Sequence, residues 1–376
     1  MLRSLLVAFA AFALGAIAPG ALAQTAGTLV ASEPVVETPP GMQAWRVRYW
    51  TRTEENRPIE VTGMVVAPRE AQPPAPRKVI AWAHGTSGVV EECGLSAKPD
   101  FFEFTPALAE MVAAGYVVVA PDYPGLGSAG THAYLVGRET ARSVLDAVRA
   151  ARAIPGAYAG RDFAVWGESQ GGHAALWTAI EARGYARDLN LVATAAAAPP
   201  TDLPENLRQS SDQNARAFLS ALLAYSWARR FDAPLDKLFG PLNRGVANQL
   251  AQKCISLKSN PNLGTLLGIL SIRNALKGKD IGSTQGWSRL ARRNSVRAAD
   301  VPGPVLIAQS VADPLVAPAV TRSFALDLCR KRRAVTWVSI PGGDHAHSAR
   351  DSAGPTLAWI ADRFAGRAAP TDCGRF

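Results

Sequence analysis

The chain has 376 residues, with 40 Lys and Arg against 31 Asp and Glu, a formal net charge of +9 and 48% hydrophobic residues. That balance supports a globular protein with a sizeable core. The positive charge is spread along the chain, no basic helix is interleaved with aromatics, and none of the four cysteines forms C-x-x-C, so nucleic-acid, zinc and thioredoxin-like readings are excluded.

Residues 1–23 read as an export signal. Arg3 is a short positive start, Leu5 to Ala18 is apolar, and Ala21-Leu22-Ala23 fits small-x-small cleavage before Gln24. The apolar run is short for a spanning helix, and no later stretch reads as a membrane span. The expected location is a periplasm or outside the cell, without stable membrane insertion.

Residues 24–44 read as an extended surface arm. Trp45 to Trp50 and Ile59 to Val66 alternate apolar and polar residues, as two half-buried strands paired antiparallel at a sheet edge. A Pro-rich loop leads to a buried strand, Lys78 to Ala83, which runs into His84-Gly85-Thr86-Ser87-Gly88. A helix is expected from about Glu103 to Ala114, then an apolar strand, Tyr116 to Ala120, closed by Asp122-Tyr123-Pro124-Gly125-Leu126-Gly127. Gly137 to Ile154 is an amphipathic helix with Val144, Leu145 and Val148 on one face.

The next apolar strand ends at Gly167 and meets a helix that starts just after Ser169. Gly167-Glu168-Ser169-Gln170-Gly171 is G-x-S-x-G, the pattern of a serine held on a sharp strand-to-helix turn. Leu191 to Ala198 is a further, crowded strand. The β-α-β alternation with near-continuous apolar strands implies a parallel sheet covered by helices on both faces. From about 202 to 300 strand signals vanish and helical runs such as Ala215 to Phe231 and Leu263 to Leu276 read as an inserted cap. The core, 24–201, resumes at 301–376. Val305 to Gln309 and Ala334 to Ile340 are strands, Ala317 to Arg330 is a helix, and Ser352 to Phe364 is the last helix.

A serine hydroxyl needs a base in hydrogen-bond reach and an acid to orient that base. The chain offers them in the order Ser169, Asp313, His345, each at the carboxyl end of a strand, where ligands of such sheets bind. His347 is the alternative base, and Asp344 a weaker alternative acid. Backbone N–H groups of Gln170 and Thr86 are the expected oxyanion donors. His84 is expected to hold its loop by hydrogen bonds, Glu168 to support the site, His173 to pack, and Asp122 to stabilise its own turn. Four cysteines in an exported chain suggest two disulfides among three possible pairings. Cys93–Cys254, pinning the insertion to the core, and Cys329–Cys373, tying down the tail, are the favoured pair.

These residues resemble the α/β-hydrolase superfamily, and within it the secretory lipase branch of exported esterases and lipases. The resemblance rests on Trp82-Ala83-His84-Gly85-Thr86, on Ala120-Pro121-Asp122-Tyr123-Pro124-Gly125-Leu126-Gly127, on Gly167 to His173, on Asp313-Pro314 and on His345. It implies hydrolysis of small-molecule or lipid carboxylic esters through an acyl-enzyme, with no cofactor and no metal. Acyl transfer to another alcohol, amide or peptide cleavage on the same triad, and a non-catalytic binding protein on this scaffold are the alternatives.

Overall fold

A computed structural model describes residues 24–70, 72–255, 261–342 and 344–376; the expected export signal lies outside them. Nine strands form one sheet in the order β1-β2-β3-β5-β4-β6-β7-β8-β9. They are β1 (Leu29–Pro34), β2 (Met42–Arg52), β3 (Pro58–Pro68), β4 (Arg77–Ala83), β5 (Val117–Pro121), β6 (Ala159–Glu168), β7 (Asn190–Ala197), β8 (Val305–Ser310) and β9 (Val335–Ile340). The first three strands and the β3–β5 pair are antiparallel, and every pair from β5 to β9 is parallel. The fold is an α/β-hydrolase sheet with flanking helices.

The helices are α1 (Phe101–Phe104), α2 (Leu108–Ala113), α3 (Gly137–Ala151), α4 (Gln170–Tyr185), α5 (Leu203–Gln209), α6 (Gln213–Phe231), α7 (Leu235–Leu238), α8 (Pro241–Ala251), α9 (Leu263–Ala275), α10 (Trp287–Asn294), α11 (Pro318–Arg330), α12 (Ser348–Asp351) and α13 (Ala353–Phe364). Side chains alternate along each strand, so the two faces of the sheet build separate cores. Val79, Ala81 and Ala83 of β4 pack in the core that holds Val144 and Leu145 of α3 and Ala174 of α4. Ile80 and Trp82 pack on the opposite face with Met111 of α2 and Trp359 and Ile360 of α13.

α5 to α10 are inserted between β7 and β8. Three of their starts are set by short polar side chains that satisfy otherwise unpaired helical N–H groups. Asp202 accepts from Glu205, Asp212 from Asn214 and Ala215, and Asn262 from Thr265. The Cys93–Cys254 disulfide ties this insertion to the loop after β4, and Cys329–Cys373 ties the tail to α11.

Three elements differ from the sequence expectation. The N-terminal arm contains β1, which pairs with β2 and makes itself the sheet edge; its alternation is too short and irregular to read in advance. The helix expected over Glu103 to Ala114 is two short ones, because Pro106 lacks a donor and Ala107 turns left-handed at φ 51°. A short helix that was not expected, α12, precedes the last one, and α13 itself covers the expected range.

Candidate active site

β6 delivers Ser169 at its carboxyl end with φ 54° and ψ −119°. A non-glycine residue in this region stores strain and persists only when its neighbours fix it. Ser169 N–H donates to the Ala197 carbonyl at 2.8 Å, and His173 N–H donates to the Ser169 carbonyl at 3.0 Å, the first turn of α4. The turn is tight enough to exclude side chains on either side. A Cβ on Gly167 would overlap the Gly171 carbonyl, and one on Gly171 would overlap the Ala83 carbonyl. The turn therefore demands glycine at both positions.

The loops after β8 and β9 bring two further side chains to this turn. His345 Nε2 lies 2.8 Å from Ser169 Oγ, and His345 Nδ1 lies 2.8 Å from Asp313 Oδ2. A carboxylate oxygen accepts, so Nδ1 carries the proton and Nε2 presents its lone pair to the serine hydroxyl. The Asp313 side chain is fully buried and that of His345 nearly so. Asp313 is fully engaged: Oδ1 accepts from the N–H groups of Leu315 and Val316, and Oδ2 also accepts from Gln309 Nε2 at 3.1 Å. Burial by itself would depress the His345 pKa. The hydrogen bond and charge of Asp313 outweigh it, and the carboxylates of Glu168 and Asp344 add to the rise above the usual histidine value.

The structure brings His345, not His347, to Ser169. His347 instead bonds Asp344 at 2.8 Å on the surface. Glu168 accepts the Ala349 N–H at 2.7 Å, which ties the nucleophile turn to α12. Its burial lifts the carboxyl pKa to about 7, against the lowering pull of that bond and of His345. His173 is buried, with Nε2 against the Asn294 carbonyl at 2.7 Å, so it joins α4 to the end of the insertion. The Asp122 side chain holds its turn through partners outside it: it accepts from the Ser96 N–H and from the Thr62 hydroxyl, tying the turn to the loop before α1 and to β3.

The loop after β4 is held by an internal clamp. His84 Nδ1 lies 2.7 Å from the Gly85 carbonyl, which must accept. The peptide linking Gly85 to Thr86 is planar, with its carbonyl and N–H on opposite sides. Clamping that carbonyl therefore turns Thr86 N–H the other way. Tyr123 OH donates to the His84 carbonyl at 3.0 Å, and the two rings lie 4.5 Å apart.

A cavity of about 430 Å3 opens beside Ser169 and His345. Its apolar wall includes Trp82, Leu95, Phe101 and Phe104 from the core and Leu219 and Ile255 from the insertion. A smaller cavity of about 70 Å3, lined by Leu203, Leu207, Leu223 and Val316, also reaches Ser169 and His345. Among the described residues no group of His, Cys, Asp and Glu could hold a metal ion, and no helix is long and apolar enough to cross a membrane.

Sequence reasoning missed Gln309, Tyr123, His132 and Tyr134. They sit at the end of a strand or in loops without periodicity. The one signal was scarcity, since His132 is among only five histidines in the chain.

The chain is similar to known proteins over most of its length. A protein of Mycobacterium tuberculosis described as a probable inactive lipase is 25% identical over 354 residues, covering 88% of this chain and 75% of that one. Candida antarctica lipase A in its closed state superposes with a TM-score of 0.73 at 18% identity, over 93% of this chain and 85% of that one. A rice cell wall degrading esterase, LipA from Xanthomonas oryzae, superposes with a TM-score of 0.70 at 19% identity, over 91% and 98%. The secretory lipase profile matches residues 104–372, which is most of the chain, and the chain belongs to the secretory lipase family.

Proposed function

We propose that this protein is an exported serine hydrolase that cleaves carboxylic esters through an acyl-enzyme. The observation that carries the proposal is His345, which touches Ser169 Oγ and Asp313 Oδ2 at 2.8 Å each, beside an apolar cavity. Ser169 Oγ attacks the ester carbonyl carbon while its proton passes to His345 Nε2. The carbonyl oxygen becomes an oxyanion facing the N–H groups of Gln170, at the start of α4, and of Thr86. Collapse breaks the bond to the alcohol oxygen, which leaves with the His345 proton, and Ser169 holds the acyl group as an ester. Water then attacks, with His345 again taking and returning a proton, and the carboxylic acid is released. Asp313 keeps the imidazole in the required tautomer and stabilises its cation without itself being protonated.

The larger cavity suits the acyl chain and the smaller one the alcohol, and the helices of residues 202–300 act as the cap over both. The leader-like residues 1–23 and the two disulfides support export to an oxidising compartment. The test is hydrolysis of p-nitrophenyl esters from two to sixteen carbons by the mature protein and by Ser169→Ala, alongside labelling by a serine-directed phosphonate. Activity and labelling that both vanish in the variant support the proposal. A wild-type protein that is neither active nor labelled overturns it in favour of a non-catalytic binding protein on this scaffold. Faster turnover with an added alcohol or with amides would redirect it to acyl transfer or amide cleavage.

A further inference from the structure

The triad and its oxyanion donors, read as above, rest on a buried network that belongs to neither. Tyr134 OH lies 3.0 Å from Thr86 Oγ1. His132 Nε2 lies 2.7 Å from Gln170 Nε2. The protons in this second contact can be assigned by elimination. His132 Nδ1 faces the Pro124 carbonyl at 2.9 Å, which can only accept, so Nδ1 carries the hydrogen. In the neutral ring Nε2 is then an acceptor, and the Gln170 amide must turn its NH2 toward it. Both rings are almost completely buried, and burial keeps His132 neutral by lowering its pKa to about 3.

The same loop is gripped from the other side by the insertion. Ser226 of α6 donates its hydroxyl to the His132 carbonyl at 2.6 Å and accepts the Tyr134 N–H at 3.0 Å. Trp227 Nε1 donates to the Tyr134 carbonyl at 2.8 Å. Directly after these grips the backbone holds Leu135 at φ 55°, a strained conformation for a branched residue. Tyr123 stacks on His132 with ring planes 15° apart, so the loop also rests on the residue that holds the His84 carbonyl.

We propose that His132 and Tyr134 are positioning residues for the oxyanion site, and that α6 of the insertion fixes them through Ser226 and Trp227. The two donor N–H groups come from loops far apart in sequence, after β4 and after β6. A useful oxyanion site requires both to converge on one oxygen within a few tenths of an ångström. His132 grips the side chain of one donor residue, Tyr134 grips the other, and a single backbone segment of three residues carries both. The insertion thereby acts on the chemical step as well as on access.

Tyr134→Phe tests this with the least disturbance, since it keeps the ring and removes only the hydroxyl that faces Thr86. We expect kcat on a p-nitrophenyl ester to fall about tenfold or more, with KM within about twofold and phosphonate labelling slowed in parallel, because oxyanion donors act on the transition state. In a Thr86→Val background the same substitution should add little further loss, and Ser226→Ala should show the same kcat-against-KM split. An unchanged kcat, a rise in KM alone, or full additivity with Thr86→Val would overturn the proposal. Ser169→Ala is the separate check on the underlying reading. If that variant retains activity, the triad reading falls; if it is silent while Tyr134→Phe is unaffected, only this inference falls. A wild-type protein that is neither active nor labelled removes both.

Discussion

Asp313→Asn perturbs the site where its geometry leaves least freedom. Asp313 Oδ1 accepts two backbone N–H groups, from Leu315 at 2.8 Å and Val316 at 2.9 Å. An asparagine must keep its carbonyl oxygen there, because an NH2 facing two donors would leave all of them unpaired. Its NH2 is then forced into the Oδ2 position, against His345 Nδ1 at 2.8 Å and Gln309 Nε2 at 3.1 Å. His345 Nδ1 has to become the acceptor. The ring proton moves to Nε2, which can no longer take the proton of Ser169. In a serine-protease triad the equivalent change lowers kcat by about 10,000-fold, or roughly 5.5 kcal/mol at about 1.36 kcal/mol per tenfold. The donor-to-donor contact with Gln309 adds a stability loss of about 1–3 kcal/mol. The assay is kcat and KM on p-nitrophenyl butyrate at pH 8, with the His345 ring N–H located by 15N NMR. We expect a kcat loss of about three to four orders of magnitude, little change in KM, and a proton on Nε2. A variant within about tenfold of wild type, or a ring proton still on Nδ1, would refute the reasoning.

Activity should rise with pH through the raised pKa of His345, hence above the ordinary histidine value, because only the neutral ring accepts the Ser169 proton. Glu168→Gln should move that limb to lower pH by removing a neighbouring negative charge, which a pH–kcat/KM profile would detect. The same variant should become more stable than the wild type as pH rises. A buried carboxyl with a folded pKa of about 7 and an ordinary unfolded value near 4.5 loses its proton first in the unfolded chain, so wild-type stability falls as pH rises between the two. The gap corresponds to at most about 3 kcal/mol, and melting of both proteins at pH 5 and pH 8 should show the variant's advantage only at the higher pH. Gly171→Ala places a Cβ on the Ala83 carbonyl and should destabilise by about 3 kcal/mol or more, or prevent folding; a Tm within a few degrees of wild type would contradict the tight turn. Removing Cys93–Cys254, which closes 161 residues, should cost about 5 kcal/mol on the chain-entropy account, and removing Cys329–Cys373, which closes 44, about 4 kcal/mol. Guanidinium melts of the two double-serine variants would rank them.

The sheet was legible because parallel strands buried on both faces leave an unmistakable trace: runs such as Val79-Ile80-Ala81-Trp82-Ala83 admit no half-exposed reading. G-x-S-x-G was legible for a steric reason, since its two glycines are the only residues that let three backbone segments meet at that turn. His345 and Asp313 could be named because each follows a buried strand. Choosing His345 over His347 needed coordinates, since both lie in the same short loop and only the path of that loop separates them. The arm over residues 24–44 hid β1, because six residues at a sheet edge with mostly polar or half-exposed side chains carry no burial pattern. His132 and Tyr134 were illegible for a deeper reason. Their contacts join positions 38 and 48 residues apart, and Ser226 reaches the same loop from more than 90 residues away. No local pattern encodes such a meeting.

The attachments of the insertion limit how it can open. Its start is held by Ser210 and Ser211, whose groups donate to the Pro314 carbonyl beside Asp313. Its longest helix is held by Ser226 and Trp227, its middle by the Cys93–Cys254 bond, and its end by Asn294, whose carbonyl meets His173 and Trp177. A rigid swing of the whole insertion would break every non-covalent tie at once and still be stopped by the disulfide. Each buried hydrogen bond lost without replacement costs about 1–3 kcal/mol, so such a swing would be populated only rarely. Any widening of the larger cavity on the side of the insertion would instead need smaller displacements of its own wall, near Leu219 and Ile255. Ile255 is itself tied down, its N–H donating to the Ser87 carbonyl at 2.8 Å. The same ties that would make opening costly keep α6 pressed on the loop beneath Thr86 and Gln170, so, on the function proposed above, a loosened insertion should admit larger esters and turn them over more slowly.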